Sequence, residues 1–357
     1  MEPGCLGEND GLTFWLAKPE DYDDIMFISK DIYWGNDYLP HRYHEWMVEP
    51  DRVVILARRT GKLVALESGI VVDDGHTVVV EGLRVCPSER GHGVAGVIQR
   101  FADGYMKKLY PSVKMKRLTR GDDPGPEKLS KFQLLARRAI LSLSGEAESF
   151  DGFISALKAK LTSTEGAGGS GGRHLETEQQ LRAVLLDPDI GSRLQLPGGA
   201  IIQDWQPLRP IDSNLAVLRR RNLTWFVGGS HDTPTFVSFH TPPYPVPFKV
   251  GAVRLNIDLF GTDPAMGRRA LVAHLEEVRA ELRGMVMMHV YMHSSLWEGL
   301  RLFCQGGQGC SSARHTGSSS SWRKSCDGEE RAGTRDEGEC VCMFGFAWAC
   351  LCDKGGD

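Results

Sequence analysis

Glu81-Gly-Leu-Arg-Val-Cys-Pro-Ser-Glu-Arg-Gly-His-Gly-Val-Ala95 brings two glycines and several charges together at the junction of two predicted elements. A strand over Thr77–Val85 is stopped by Pro87, which has no N–H to continue a ladder. A helix opens near Gly93. Gly91 and Gly93 lack a Cβ, so backbone N–H groups there can approach a ligand closely. Those groups sit at a helix N-terminus, where the peptide dipoles favour an anion, and Arg90 adds a positive charge. The segment therefore predicts a pyrophosphate cradle. On physical grounds several nucleotides satisfy it. The spacing is neither the GxGxxG of a dinucleotide site nor the GxxxxGK[ST] of a P-loop; it is Arg-x-x-Gly-x-Ala, at Arg90, Gly93 and Ala95.

The elements that would position this turn follow from periodicity. Leu12–Leu16 reads as a short strand, and Pro19-Glu-Asp21 starts a helix with Ile25, Ile28 and Ile32 on one side. An aromatic-rich stretch follows, with Tyr33, Trp34, Tyr38, Tyr43 and Trp46. Val53–Ala57, Leu63–Val72 and Thr77–Val85 form a meander whose turns are Arg59-Thr-Gly-Lys62 and Asp73-Asp-Gly75. After the glycine turn, Val94, Val97, Ile98, Phe101 and Tyr105 recur at helical spacing, and Val113–Leu118 is a further strand. A helix carrying Phe132 and Leu135 is expected next. The order implies an α/β plan with a mixed sheet.

At 357 residues, two domains are expected. Glu165-Gly-Ala-Gly-Gly-Ser-Gly-Gly172 has too little apolar surface to offset its ordering entropy and reads as a linker. The expected division is a first domain over 8–160, a linker over 161–172, a second domain over 173–305, and a Cys-rich, low-complexity, unstructured tail over 306–357. Seven of the nine cysteines lie at Cys304 or later, so the body is no disulfide scaffold and suits a reducing compartment. Cys340-x-Cys342 and Cys350-x-Cys352 have no nearby His to complete a familiar zinc spacing, and no metal is expected. The net charge of −4 supplies no basic field for nucleic acid. Arg219-Arg220-Arg221 reads as a solvated face. The acidic N-terminus and the lack of a long apolar run predict neither a leader nor a membrane span, hence a cytoplasmic protein.

With Leu83, Val85 and Pro87 ahead of Arg90–Ala95, the segment resembles the acetyl-CoA signature of the GNAT superfamily of N-acetyltransferases. The resemblance implies a mostly antiparallel mixed sheet flanked by helices. It implies that the backbone of Leu83-Arg84-Val85 holds the pantetheine arm, with an N–H near Leu83 or Val85 on the oxyanion. It implies that Arg90, Gly91, His92, Gly93, Val94 and Ala95 take the pyrophosphate. An amine attacks a thioester only when deprotonated. Glu81 is the candidate base, since strand alternation would put it on the face of Leu83 and Val85; a plain strand-end pairing role is the other reading. Many GNAT enzymes carry a Tyr after the last core strand as acid, and none follows Leu118 here.

Asp37-Tyr-Leu-Pro40, Tyr43, His44, Trp46 and Gly82-Leu-Arg-Val85 running into Arg90–Ala95 are similar to the vertebrate histidine N-acetyltransferase family. That resemblance implies a free amino acid such as histidine as the acceptor, a small-molecule amine. Tyr38 and Tyr43 can flank an imidazole and Arg42 can meet a carboxylate, although such aromatics equally suit a core. Residues 200–303 repeat the plan without Gly-x-Gly: Pro264 stands three before Gly267, and Asp258 and Asp263 would repel a phosphate. A degenerate second GNAT-like half is expected. A non-catalytic acetyl-CoA-binding protein and an enzyme acting on protein amines are the alternative functions.

Overall fold

The computed structural model describes residues 4–30, 32–121, 125–165, 172–230, 233–305, 310–312 and 340–353. The first run of elements is β1 (Gly7–Asn9), β2 (Leu12–Leu16), α1 (Tyr22–Ile28), α2 (Leu39–Trp46), β3 (Arg52–Arg59), β4 (Lys62–Val72), β5 (Thr77–Val85), α3 (Val94–Leu109), β6 (Met115–Arg120) and α4 (Gly125–Lys131). β1 to β5 are antiparallel neighbours in chain order, and β6 lies parallel to β5 after the α3 crossover. Val94, Val97, Ile98, Ala102 and Met106 bury the apolar stripe of α3 against Leu12, Phe14, Ile55 and Val78 of the sheet.

Next come β7 (Phe132–Glu146), α5 (Ser149–Glu165), β8 (Arg173–Leu175), α6 (Glu178–Leu185), α7 (Ile190–Arg193), β9 (Ile201–Gln203), β10 (Gln206–Leu208), α8 (Asp212–Arg219), β11 (Thr224–Gly229), β12 (Pro234–His240), β13 (Tyr244–Pro245), β14 (Val253–Phe260), α9 (Pro264–Val278), β15 (Met285–Met292), α10 (Ser294–Cys304), β16 (Cys310–Ser312) and β17 (Cys340–Asp353). β14, α9 and parallel β15 repeat β5, α3 and β6.

The helix expected around Phe132 and Leu135 is instead the strand β7. Leu141 and Leu143 are buried with Ser142 between them, a period-two pattern that belongs to a sheet. β7 pairs antiparallel with β15, from Met285↔Glu146 to Met292↔Ala139. α5 follows it into the same core, where Phe150, Phe153 and Leu157 meet Leu271, Leu275 and Leu300. Residues 132–165 thus pack with the second half, and the chain crosses over before Phe132 rather than at the Gly/Ser stretch. The linker residues 166–171 lie outside the described residues. Within the tail, β17 runs antiparallel between β6 and β7, so the described sheet passes from the first half to the second through it.

The halves also share side-chain cores. Ile70, Val72 and Val79 of the first half are buried with Leu181, Trp225 and Phe239 of the second. Tyr38, Leu56 and Leu66 are buried with Tyr244, Val246 and Ala252. Each such aliphatic side chain contributes about 1.5–3 kcal/mol on burial, so the two halves fold as one packed unit. Among the described residues no helix is long and apolar enough to cross a membrane.

Candidate active site

β5 and β6 stay paired only from Thr77↔Met115 to Val80↔Leu118. Beyond Val80, β5 continues to Val85 with a strand partner on the β4 side alone. The corresponding strands of the second half remain paired through Asp258↔Tyr291, near the end of β14. Among the described residues, only the first half therefore has a splayed parallel pair whose backbone edge can bind an extended ligand.

A bulge reshapes that edge. The β4–β5 register jumps from Leu66↔Arg84 to Ser68↔Glu81. Gly82 takes φ +74°, and a Cβ on it would lie 2.7 Å from the Trp46 ring. The extra residue resets the alternation of the strand. Val80, Leu83 and Val85 pack toward α3, whereas Glu81 reaches Arg52 of β3 and Gln206 of the second half. The shared face expected for Glu81, Leu83 and Val85 does not exist, since a residue inserted between them flips one relative to the others.

The turn expected as a phosphate cradle lies open. Gly91, His92 and Gly93 are exposed, Val94 is buried, and Ala95 is half-buried. Gly91 and Gly93 have φ +81° and +76°, and Gly93 is the N-cap of α3 with no side-chain cap. The first-turn N–H groups thus have no intrahelical acceptor. Arg90 Nε donates to Val85 O at 3.1 Å, tying the turn to the end of β5. At α9 the equivalent position is occupied by a carboxylate: Asp263 accepts from the N–H of Ala265 at 2.8 Å and of Met266 at 3.2 Å. The second helix start is neutralised by its own sequence.

On the opposite face of β5 a charged and aromatic cluster gathers. Arg84 Nη2 donates to Asp37 Oδ1 at 2.8 Å, both side chains being buried. The guanidinium lies 5.3 Å from the Tyr33 ring and 5.5 Å from the Tyr38 ring. Burial pushes the Tyr38 phenol well above its ordinary range despite Arg84, so it is held as a proton donor. Glu81 Oε1 accepts from Arg52 Nη1 at 2.6 Å and from Gln206 Nε2 at 2.6 Å. Arg221 Nη2 bonds Gln206 Oε1 at 3.1 Å and Glu49 at 2.8 Å, so the last arginine of the 219–221 run is an internal bridge rather than part of a solvated face. Asp37 Oδ2, Arg84 Nε, Arg52 Nη2 and Arg42 Nη2 are buried without a hydrogen-bond partner among the described residues. Leaving such groups unpaired is costly, and their concentration makes this cluster the candidate site for a polar ligand.

The three residues expected to bind substrate separate. Tyr38 lies in the cluster. Arg42 stands at its border, with Nη1 on Asp204 at 2.8 Å. Tyr43 is fully buried and donates to Lys18 O at 2.5 Å, which makes it a core residue. On the edge expected to hold the cofactor, Arg84 presents only its backbone, because its side chain turns to Asp37. Sequence reasoning missed Asp37, Arg52 and Gln206 as members of this cluster. The signal for Asp37 lay in the Asp37-Tyr-Leu-Pro40 motif itself; the others are remote in sequence. Among the described residues no group of three His, Cys, Asp or Glu side chains is placed to hold a metal.

A separate carboxyl, Glu67, lies opposite the bulge and is 2% exposed, with Gln99 donating to it at 3.4 Å. Burial raises it from 4.5 to about 7, against the pull of Lys116. A carboxyl that binds its proton more tightly folded than unfolded makes folding most favourable below pH 4.5, an advantage lost as pH rises to about 7. Glu67→Gln should therefore gain about 1–2 kcal/mol of stability at pH 8 and nothing near pH 4.5, part of the gain being offset by the buried amide. Urea unfolding at the two pH values measures this; an equal effect at both would contradict it.

A family model described as "Histidine N-acetyltransferase, C-terminal" matches residues 170–293. The chain is 41% identical over 303 residues to a histidine N-acetyltransferase of Scomber australasicus, covering 82% of this chain and 88% of that protein. It is 42% identical over 313 residues to probable N-acetyltransferase 16 of Homo sapiens, covering 86% and 84%. The chain belongs to the histidine N-acetyltransferase family. Its fold agrees: a tandem GNAT protein from the clavulanic acid biosynthesis pathway superposes with a TM-score of 0.53 at 11% identity, covering 97% of this chain and 99% of that one. A structure described as a putative acetyltransferase from Pyrococcus horikoshii gives 0.53 at 11% identity, over 98% and 92%. As a member of the histidine N-acetyltransferase family the chain is an N-acetyltransferase of two GNAT-like halves, a class whose acetyl donor is acetyl-CoA.

Proposed function

We propose that this enzyme transfers the acetyl group of acetyl-CoA to the α-amino group of free L-histidine, the acceptor named for its relatives. The observation that carries the reading is the parting of β5 from β6 after Val80, which leaves the edge of residues 81–85 open beside an uncapped helix start. On one side of that edge the N–H groups at Gly93–Ala95, with Arg90 and His92, suit a pyrophosphate. The backbone of Leu83–Val85 suits an extended amide-bearing arm, and an N–H there would stabilise the oxyanion. On the other side, Arg84, Arg52 and Tyr38 suit the carboxylate and ring of an amino acid.

Glu81 takes the proton in this scheme. Only its Oε1 is engaged by Arg52 and Gln206 among the described residues, leaving Oε2 to accept a proton from the ammonium group. The neutral amine forms its bond to the acetyl carbon, the C–S bond breaks, and the proton that the nitrogen sheds on becoming an amide passes to the thiolate as coenzyme A leaves. Incubation of the purified chain with acetyl-CoA and each free amino acid, with thiol release as the readout, tests the function; histidine should give the highest kcat/KM. No release with any amino acid would reject it.

Glu81→Gln keeps the size of the side chain and removes its basicity. The rate should fall about 10²-fold, less at high pH where more amine is already neutral. The dissociation constant of acetyl-CoA should stay within about threefold, because backbone groups hold that ligand. A rate near that of the parent across the pH range would exclude Glu81 and favour proton transfer to water.

A further inference from the structure

Among the described residues only two aromatic side chains stand on left-handed backbone, and they touch each other across the two halves. Tyr33 has φ +52° and Trp205 has φ +75°, and their rings stack with centroids 6.2 Å apart at 29°. A bulky residue at positive φ is a genuine outlier, retained only where the surroundings over-determine it. Asp204 and Trp205 form the two-residue turn between β9 and β10, both at positive φ, a turn that ordinarily takes Asn and Gly.

The surroundings that hold the turn all belong to the site. Asp204 pairs with Arg42 at 2.8 Å. Thr119 of β6 donates to Trp205 O at 2.6 Å. Gln206 donates to Glu81 at 2.6 Å. The hairpin of the second half is thereby fastened to both splayed strands of the first, with the indole presented beside Tyr33 and, beneath Tyr33, Arg84 at 5.3 Å. Tyr33 remains 41% exposed, so the pair faces outward rather than filling a core.

We propose that Trp205 is a specificity-determining residue: with Tyr33 it forms an aromatic wall against which the planar ring of the acceptor packs. The proposal rests on the acceptor reading above and extends it to the second half. That half has its own helix start blocked by Asp263, and its hairpin supplies the wall to the competent half. A planar, π-bearing acceptor side chain gains from such a wall, and an aliphatic one does not.

Trp205→Gly separates a wall from a merely structural turn. Glycine suits positive φ, and the retained backbone carbonyl still accepts from Thr119, so the melting temperature should stay or rise. The ratio of kcat/KM for histidine over alanine should fall at least about tenfold, through KM for histidine, with the acetyl-CoA dissociation constant within about twofold. Trp205→Phe, which restores a ring, should recover part of the ratio. An unchanged ratio in Trp205→Gly, or an equal loss with both acceptors, would overturn the wall while leaving histidine acetylation intact. A parent enzyme that acetylates no amino acid would instead remove the acceptor reading, and the wall with it.

Discussion

Gly93→Asp should raise the dissociation constant of acetyl-CoA by about 10³-fold, equivalent to roughly 4 kcal/mol. The substitution copies into the first half the carboxylate that Asp263 places at the start of α9, where it accepts two first-turn N–H groups. Three effects add at Gly93. A negative charge meets a pyrophosphate, the helix-start dipole is compensated from within, and a Cβ stands where the ligand approaches. The fold should tolerate the change: nothing lies within 4 Å of a Cβ built there, and Asp accepts the left-handed conformation at a cost of about 1 kcal/mol. Gly93→Asn is the matched neutral variant, with the same shape and the same backbone tolerance, and should lose about tenfold. Calorimetric titration of both variants reads the difference; a Gly93→Asp constant within threefold of the parent would show that α3 does not hold the phosphate.

Arg138→Met should cost the enzyme about 3–5 kcal/mol of stability. Arg138 is 4% exposed on β7 and is the cation through which the crossover strand is tied to the second half. Its Nη1 donates to Asp258 at 2.5 Å, and its Nη2 donates to the carbonyls of Leu259 at 3.1 Å and Tyr291 at 3.0 Å. Methionine matches much of the stem volume but removes the cation beside a buried carboxylate and the side-chain donor to two carbonyls. Burial already raises Asp258 from 3.8 to about 7 in spite of Arg138. Without the cation the carboxyl rises further, so the variant tolerates acid better than base. The destabilisation should be larger at pH 8 than at pH 5, and adding Asp258→Asn should return part of it at pH 8. Urea midpoints at the two pH values test this, and a loss independent of pH would mean that the carbonyls rather than Asp258 dominate.

Much of the first half was legible because its signals are local. β2 and β5 fall where alternation and turns place them, and α3 begins at the glycine turn because a helical stripe starts at Val94. The repeat of that plan over residues 200–303, which holds β14 and β15, is legible for the same reason. Around Phe132 and Leu135 the sequence reads as a helix because a strand buried beside another half carries little periodicity at its start, and its partner β15 lies far along the chain. The same non-locality hid the tail strand, whose neighbours are β6 and β7. Glu81 was placed on the wrong face because alternation presumes an unbroken ladder, whereas the bulge at Gly82 depends on the approach of Trp46 from α2.

By itself, the amino-acid sequence determined the GNAT-like plan, the glycine turn, the repeat and the carboxylate that blocks the second helix start. Each of these rests on residues within one turn or one ladder of each other, where spacing translates directly into geometry. Tertiary structure alone decided that the Arg84 side chain turns to Asp37, that Tyr43 belongs to the core, and that Gln206 and Trp205 of the second half meet Glu81 and Tyr33 of the first. Those contacts join residues as distant in the chain as Tyr33 and Trp205. They exist because burying the shared apolar faces of the two halves brings the hairpin onto the splayed strands, and no pattern along either segment encodes that meeting.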